Sequence, residues 1–172
     1  LGYGALDANT TADANTAVGY SALTANTTGY GNTALGSLSL DASTTANNNT
    51  SVGRAAMTTS TTAASNTAMG VSALEGLTTG VNNDAFGVAA GGSLTTGSSN
   101  VIFGNNSTTT SAGSSNANGF GLSLSCQDNF TTIGQGASDI RTGQGSTSWA
   151  VVSDERVKKD NEDSTVGLDF FF

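Results

Sequence analysis

The side chains that carry most protein chemistry are scarce in this 172-residue chain. It has no His, one Cys, 13 acidic and five basic residues, for a net charge of −8. Without His, general acid–base catalysis near neutral pH loses its usual agent. Zinc, haem and iron–sulfur sites lose their usual ligands, so neither metal nor cofactor is expected. One Cys allows no disulfide framework, and Cys126 reads as a small buried hydrophobe rather than a reactive thiol. Asp7, Asp13, Asp41 and Asp84 are scattered and do not form the nine-residue Gly/Asp calcium repeat. Gly29-Tyr-Gly31 and Gly119-Phe-Gly121 lack the Lys-Ser/Thr and the helix of a phosphate loop. Five basic residues against 13 acidic ones argue against nucleic acid as a partner. No run of eighteen apolar residues suggests membrane insertion. A start at Leu1, without Met or a signal-like segment, suggests a piece of a longer chain.

The remaining residues are mostly structural. The chain holds 23 Gly, 27 Thr and 17 Asn, no Pro, 36% hydrophobic and only 10% charged residues. Low hydrophobicity with Gly, Ser, Thr and Asn suggests disorder, but disordered chains carry more charge or Pro. An uncharged Thr/Asn-rich chain calls for a search for repeats. Gly2, Gly19, Gly36, Gly53, Gly70, Gly87, Gly104 and Gly121 lie seventeen residues apart without insertion or deletion. Before each stands a large apolar residue: Leu1, Val18, Leu35, Val52, Met69, Phe86, Phe103, Phe120. Asn15, Asn32, Asn49, Asn66, Asn83 and Asn100 stand four residues before a register Gly, and Leu6, Leu23, Leu40, Met57 and Leu74 four after one. Halfway round comes a Thr-Thr pair, from Thr10-Thr11 to Thr95-Thr96.

Seventeen residues are too few for a helical-hairpin repeat, and Ser, Thr, Asn and Gly favour helix poorly. The period suits one coil of a β-solenoid. The expected fold is therefore all-β: a β-solenoid or β-roll of about eight 17-residue coils. Two short strands per coil are expected, one around Asn15–Leu23 and its equivalents, one at the Thr pair. The large apolar column should fill the interior or a seam between subunits. Tyr20, Arg54 and Val71, two residues on, share its face as a variable column. The Gly column, flanked by Ala17, Ala34, Ser51, Ala68 and Ala85, should lie on the opposite face, where another backbone could approach closely. The Asn column should sit at a bend, in left-handed conformation and stacked into amide ladders. Adjacent Thr residues should point to opposite faces, leaving one outward Thr per coil.

Each coil offers about two large apolar residues, too few to bury much area alone. A homotrimer, intertwined or side by side and packed through the Ala/Gly or the Val/Leu/Phe face, is the expected remedy. The repeat region spans 1–133, with drift from Leu77 as Gly76, Gly80, Gly91, Gly92 and Gly97 enter. Residues 134–148 read as a Gly/Ser-rich connector. Residues 149–172 hold nine of the 18 charged residues and read as the start of another module.

Two resemblances follow. The repeats, as in Asn15-Thr-Ala-Val-Gly-Tyr-Ser-Ala-Leu23 and Asn32-Thr-Ala-Leu-Gly36, resemble the trimeric β-roll heads of trimeric autotransporter adhesins and bacteriophage tail fibres. Adhesin-head repeats are usually shorter, so the period fits the phage type better. Trp149 to Phe170, with Ser153-Asp-Glu-Arg-Val-Lys158-Lys and Gly167-Leu-Asp-Phe170, is similar to the start of the endosialidase-type self-cleaving intramolecular chaperone of phage tailspikes and fibres. That resemblance implies an autocleavage junction with Ser153 as nucleophile and Lys158 as its base, a Lys serving where no His exists. The chaperone of that family is much longer than the nineteen residues after Ser153, so no enzyme is expected, at most a one-time cleavage junction. The resemblances imply a structural and host-attachment segment of a trimeric tail fibre on the virion. Its partners would be sister chains, other tail proteins and a host-surface glycan or protein receptor, met at the variable column or the coils from Phe86 to Phe130. A bacterial surface adhesin head is the alternative, and an ice-binding Thr-rich solenoid an alternative of another class.

Overall fold

A computed structural model describes residues 2–146 and the backbone of 150–151. Ser153 and Lys158, like Trp149 and the Gly167–Phe170 segment, lie outside the described residues. The described chain is all-β, without helix, and winds as a solenoid of about seven turns. Seven is also the number of intervals between the eight register glycines.

Each coil contributes one short strand. These are β1 (Thr16–Val18), β2 (Thr33–Leu35), β3 (Thr50–Val52), β4 (Thr67–Met69), β5 (Asp84–Phe86) and β6 (Val101–Phe103). After β7 (Thr108–Thr109) come β8 (Asn118–Leu122), β9 (Ser125–Cys126), β10 (Phe130–Gln135), β11 (Ser138–Gly143) and β12 (Ala150–Val151). The main sheet runs β1-β2-β3-β4-β5-β6-β8-β10-β11-β12, and β7 pairs with β9 beside it. Pairing up to β10 is parallel and in the seventeen-residue register, as in Ala34↔Ser51 and Val52↔Met69, until the last coil shortens to align Gly121 with Gly134.

The second strand expected at the Thr pair does not form. Both amides of a pair donate to one carbonyl of the next coil: Thr44 and Thr45 reach the Thr61 oxygen at 3.1 and 3.4 Å. A shared acceptor holds the coils in register but bends the chain, so the alternation of a strand is lost. Both Thr side chains therefore face outward, Thr44 half-buried and Thr45 exposed, rather than one per coil.

The interior is narrow. The strand's central residue points into it (Ala17, Ala34, Ser51, Ala68, Ala85, Ile102), and all six are buried. Opposite lie Leu23, Leu40, Met57 and Leu74, each at most 1% exposed. Where Gly91 follows Leu74 in its column, Leu77 and Leu94 take the place that Ser43 and Ser60 hold below, so core volume is kept through the drift. The Leu column adopts the left-handed conformation (φ 49–56° from Leu6 to Leu74), a costly choice for a branched side chain. It turns the corner while each amide still reaches the next coil, as in Leu40 to the Ala56 oxygen at 3.1 Å.

Beyond Gly134, within the stretch read as a connector, β11 folds back antiparallel on β10 and pairs Ile140 with Ile133. Asp139, within β11 and paired with Gly134, is buried and meets Arg141 at 3.4 Å, and Arg141 also donates to Gln127 at 3.1 Å.

Candidate functional site: an apolar stripe on a laddered coil

Two features stand out from the repeat, one inside and one outside. Inside is the Asn column. Each side chain sits at the start of a strand and points into the coil. Asn49 Nδ2 donates to Asn32 Oδ1 at 3.0 Å, Asn66 to Asn49 at 3.1 Å, Asn83 to Asn66 at 3.0 Å and Asn100 to Asn83 at 2.8 Å. The same Oδ1 accepts the backbone amide of the next Asn, as from Asn83 to Asn66 at 2.9 Å. Each Nδ2 also crosses its own coil to a carbonyl fourteen residues on, as Asn66 does to Gly80 at 3.0 Å. The amide ladder expected from sequence is thus present and buried. The left-handed residue is the one before it instead: Ala14, Gly31, Asn48, Ser65, Asn82 and Ser99. That corner frees the Asn to enter the strand with its amide turned inward, which accounts for the difference.

The register glycines sit where the strand leaves the sheet. Gly19, Gly36, Gly53 and Gly70 hold φ between 139° and 146°. A Cβ built on any of them would overlap the carbonyl oxygen of the next register glycine. The close backbone approach expected there is made by the next coil of the same chain. The residues that flank this column, Ala17, Ala34, Ala68 and Ala85, are buried within the coil itself.

Outside is the large apolar column. Of the two places expected for it, the interior is ruled out, because Ala occupies that side of the strand. Val18, Leu35, Met69, Phe103, Phe120 and Ile133 are each 39–47% exposed, and Val52 and Phe86 are half-buried between them. Phe86, Phe103 and Phe120 stack on one another, with ring centroids 4.4 and 5.5 Å apart and planes within 15°. The next outward column adds Tyr20, Val71, Val88 and Leu122, with Ser37, Arg54 and Asn105 interposed among them. An aromatic side chain presents roughly 150–250 Å² and the five aliphatic rungs somewhat less, so two-fifths exposure leaves on the order of 70 Å² per rung. Eight rungs with the apolar members of the flanking column then expose about 800 Å² of apolar surface, continuous along the rungs and broken beside them at Ser37, Arg54 and Asn105, beyond the few hundred typical of a monomer.

The other residues singled out from sequence do not converge. Among the described residues, no group of three or more Asp, Glu or Cys side chains lies together to hold a metal ion. Asp41 accepts a hydrogen bond from Thr58 at 2.6 Å, one coil away. Cys126 is buried, and desolvation, with the Asp139 carboxylate adding to it, pushes its thiol up to about 11. At neutral pH it stays protonated and inert. Among the described residues no helix is long and apolar enough to cross a membrane. Comparison with known proteins finds no matching family model, no matching curated protein and no matching solved structure.

Proposed function

We propose that this chain is a rod-forming, host-attachment segment of a trimeric viral tail fibre, outside the cell on the virion. The observation that carries the reading is the apolar stripe. It runs the length of the solenoid, and its area of about 800 Å² is what one partner contributes to a standard specific interface. Left in water, such a face invites aggregation; covered by two sister chains about an axis parallel to the rod, it becomes a shared core. A seam of this kind stiffens a slender element along its length, as a fibre requires. The resemblance of Ser153 to Lys158 to the junction of a fibre chaperone adds the end at which such a trimer would be assembled, with any cleavage there a single event.

Labelling decides the reading. Antibodies against residues 2–146 should decorate thin fibres on virions from the culture that carries the gene. Decoration of the cell envelope would favour the bacterial adhesin, and label confined to the cell interior would contradict both. One observation favours a second class of function: both members of each Thr pair face outward, and the face from Thr27 to Ser99 carries no charged residue in the pair's own columns or the next two. A regular uncharged array of hydroxyl and methyl groups could match an ice surface. Thermal hysteresis in solutions of the full chain would support that reading, and its absence would end it.

A further inference from the structure

A stripe of near-identical rungs poses a problem of alignment. Two rods that meet along it could slide by one coil, about 4.8 Å, and lose only the contacts at their ends. Val18, Leu35, Val52 and Met69 are similar enough in size to replace one another across a seam. We propose that the Phe86–Phe103–Phe120 ladder fixes the register in which copies of this chain align, holding them parallel and level. The inference rests on the self-association proposed above and concerns the part of the stripe that sets its alignment.

The occupant is a second copy for a geometric reason. A partner that repeats at strand spacing fits every one of the eight rungs alike, and a second copy of this chain has that spacing along the same length. The three rings are stacked closely enough to move as one block, 4.4 and 5.5 Å between centroids. Below the block stands Met69 and above it Ile133, both aliphatic. When copies are level, each ring meets the rings of its sisters. A slip of one coil sets one Phe against Met69 and another against Ile133. It breaks one aromatic rung and creates a size mismatch at each end of the block. One polar or bulky exception in an otherwise uniform seam is a common way to break such degeneracy.

Cross-linking reads the register directly. In the full chain, Leu35→Cys should form self-linked pairs under mild oxidation. In a co-refolded mixture, the link between Leu35→Cys and a size-tagged Val52→Cys chain reports a slip of one coil. Cys126 is buried and gives no background. The level link should exceed the slipped one by about tenfold, the effect of one lost aromatic rung with its mismatches. Adding Phe86→Leu, Phe103→Leu and Phe120→Leu together should leave the chain associated by sedimentation while the two links become comparable. Should that variant fail to assemble, the opposite change serves: Leu1→Phe, Val18→Phe, Leu35→Phe, Val52→Phe, Met69→Phe and Ile133→Phe carry the aromatic column through the whole register and leave no edge of the block to mismatch, with the reporter pair moved to Tyr20→Cys and Ser37→Cys. It should scramble the register just as well. If either variant keeps the level preference, the Phe ladder is not the register element. If the unaltered chain sediments as a monomer, the self-association fails, which is a different result from a scrambled register.

Discussion

Gly70→Ala should cost on the order of 4 kcal/mol, enough to unfold a marginally stable domain at ambient temperature. Two effects add. The residue sits at φ 146°, where a side chain is strained wherever it points, and the new methyl group would overlap the Gly87 carbonyl of the next coil. That carbonyl belongs to the backbone, so no side-chain rotation relieves the clash; the coils themselves must part. Gly136 provides the control. It has φ 57°, and nothing lies within 4 Å of the place its methyl group would take, so Gly136→Ala should cost only about 1 kcal/mol. Urea titrations followed by circular dichroism, at fixed chain concentration, measure both. Equal small losses would mean that the coils are not stacked as tightly as described.

Asn66→Ala should be nearly as damaging, at about 3–5 kcal/mol. The amide of Asn66 serves three coils. It donates to Asn49 Oδ1 at 3.1 Å and to the Gly80 carbonyl at 3.0 Å, and it accepts from the Asn83 amide and side chain at 2.9 and 3.0 Å. Alanine leaves a buried carbonyl and two buried N–H groups without partners. Asn66→Asp separates the roles of the two side-chain atoms. Its carboxylate still accepts from Asn83 but turns a second oxygen toward the Gly80 carbonyl and Asn49 Oδ1, which have no proton to give. Burial and these acceptors favour the protonated acid, so the folded-state pKa of the new Asp lies above its unfolded value. The sign follows: the unfolded chain ionises first, so rising pH through this range destabilises the variant, and falling pH restores it. The deficit relative to the unaltered chain should therefore be smaller at pH 4.5 than at pH 7.5. A deficit independent of pH would mean that the Asn column is hydrated rather than buried.

Much of the solenoid was legible in the sequence because its strongest constraints act on single residue types. Only Gly fits where a backbone passes within contact of the next, and a polar column can repeat in the buried interior only if each side chain has both donor and acceptor. Those two columns therefore keep their spacing without a gap. The direction of the large apolar column was not legible. Alternation along Thr33-Ala-Leu35 defines two faces but does not say which is inside, and hydrophobicity alone would send Leu35 inward. The opposite wall decides: Leu40 and its equivalents fill the narrow interior and leave room only for Ala34. The Thr pair misled for a related reason. Its composition suits a strand, but two amides sharing one carbonyl make a bend, and the rule of alternation no longer applies. The left-handed Leu column gave no local signal, since its conformation comes from the hydrogen bonds of neighbouring coils. The hairpin at Ser138–Gly143 was hidden among glycines that suggested a connector.

The central claim is that the outward stripe joins three chains into one rod. Native mass spectrometry of the full chain tests it with the fewest assumptions. The expected result is a species of three times the 17.0 kDa chain mass, reduced to single chains when Leu35→Glu and Phe103→Glu are introduced together. A single-chain species that persists at micromolar concentration without those substitutions would contradict it.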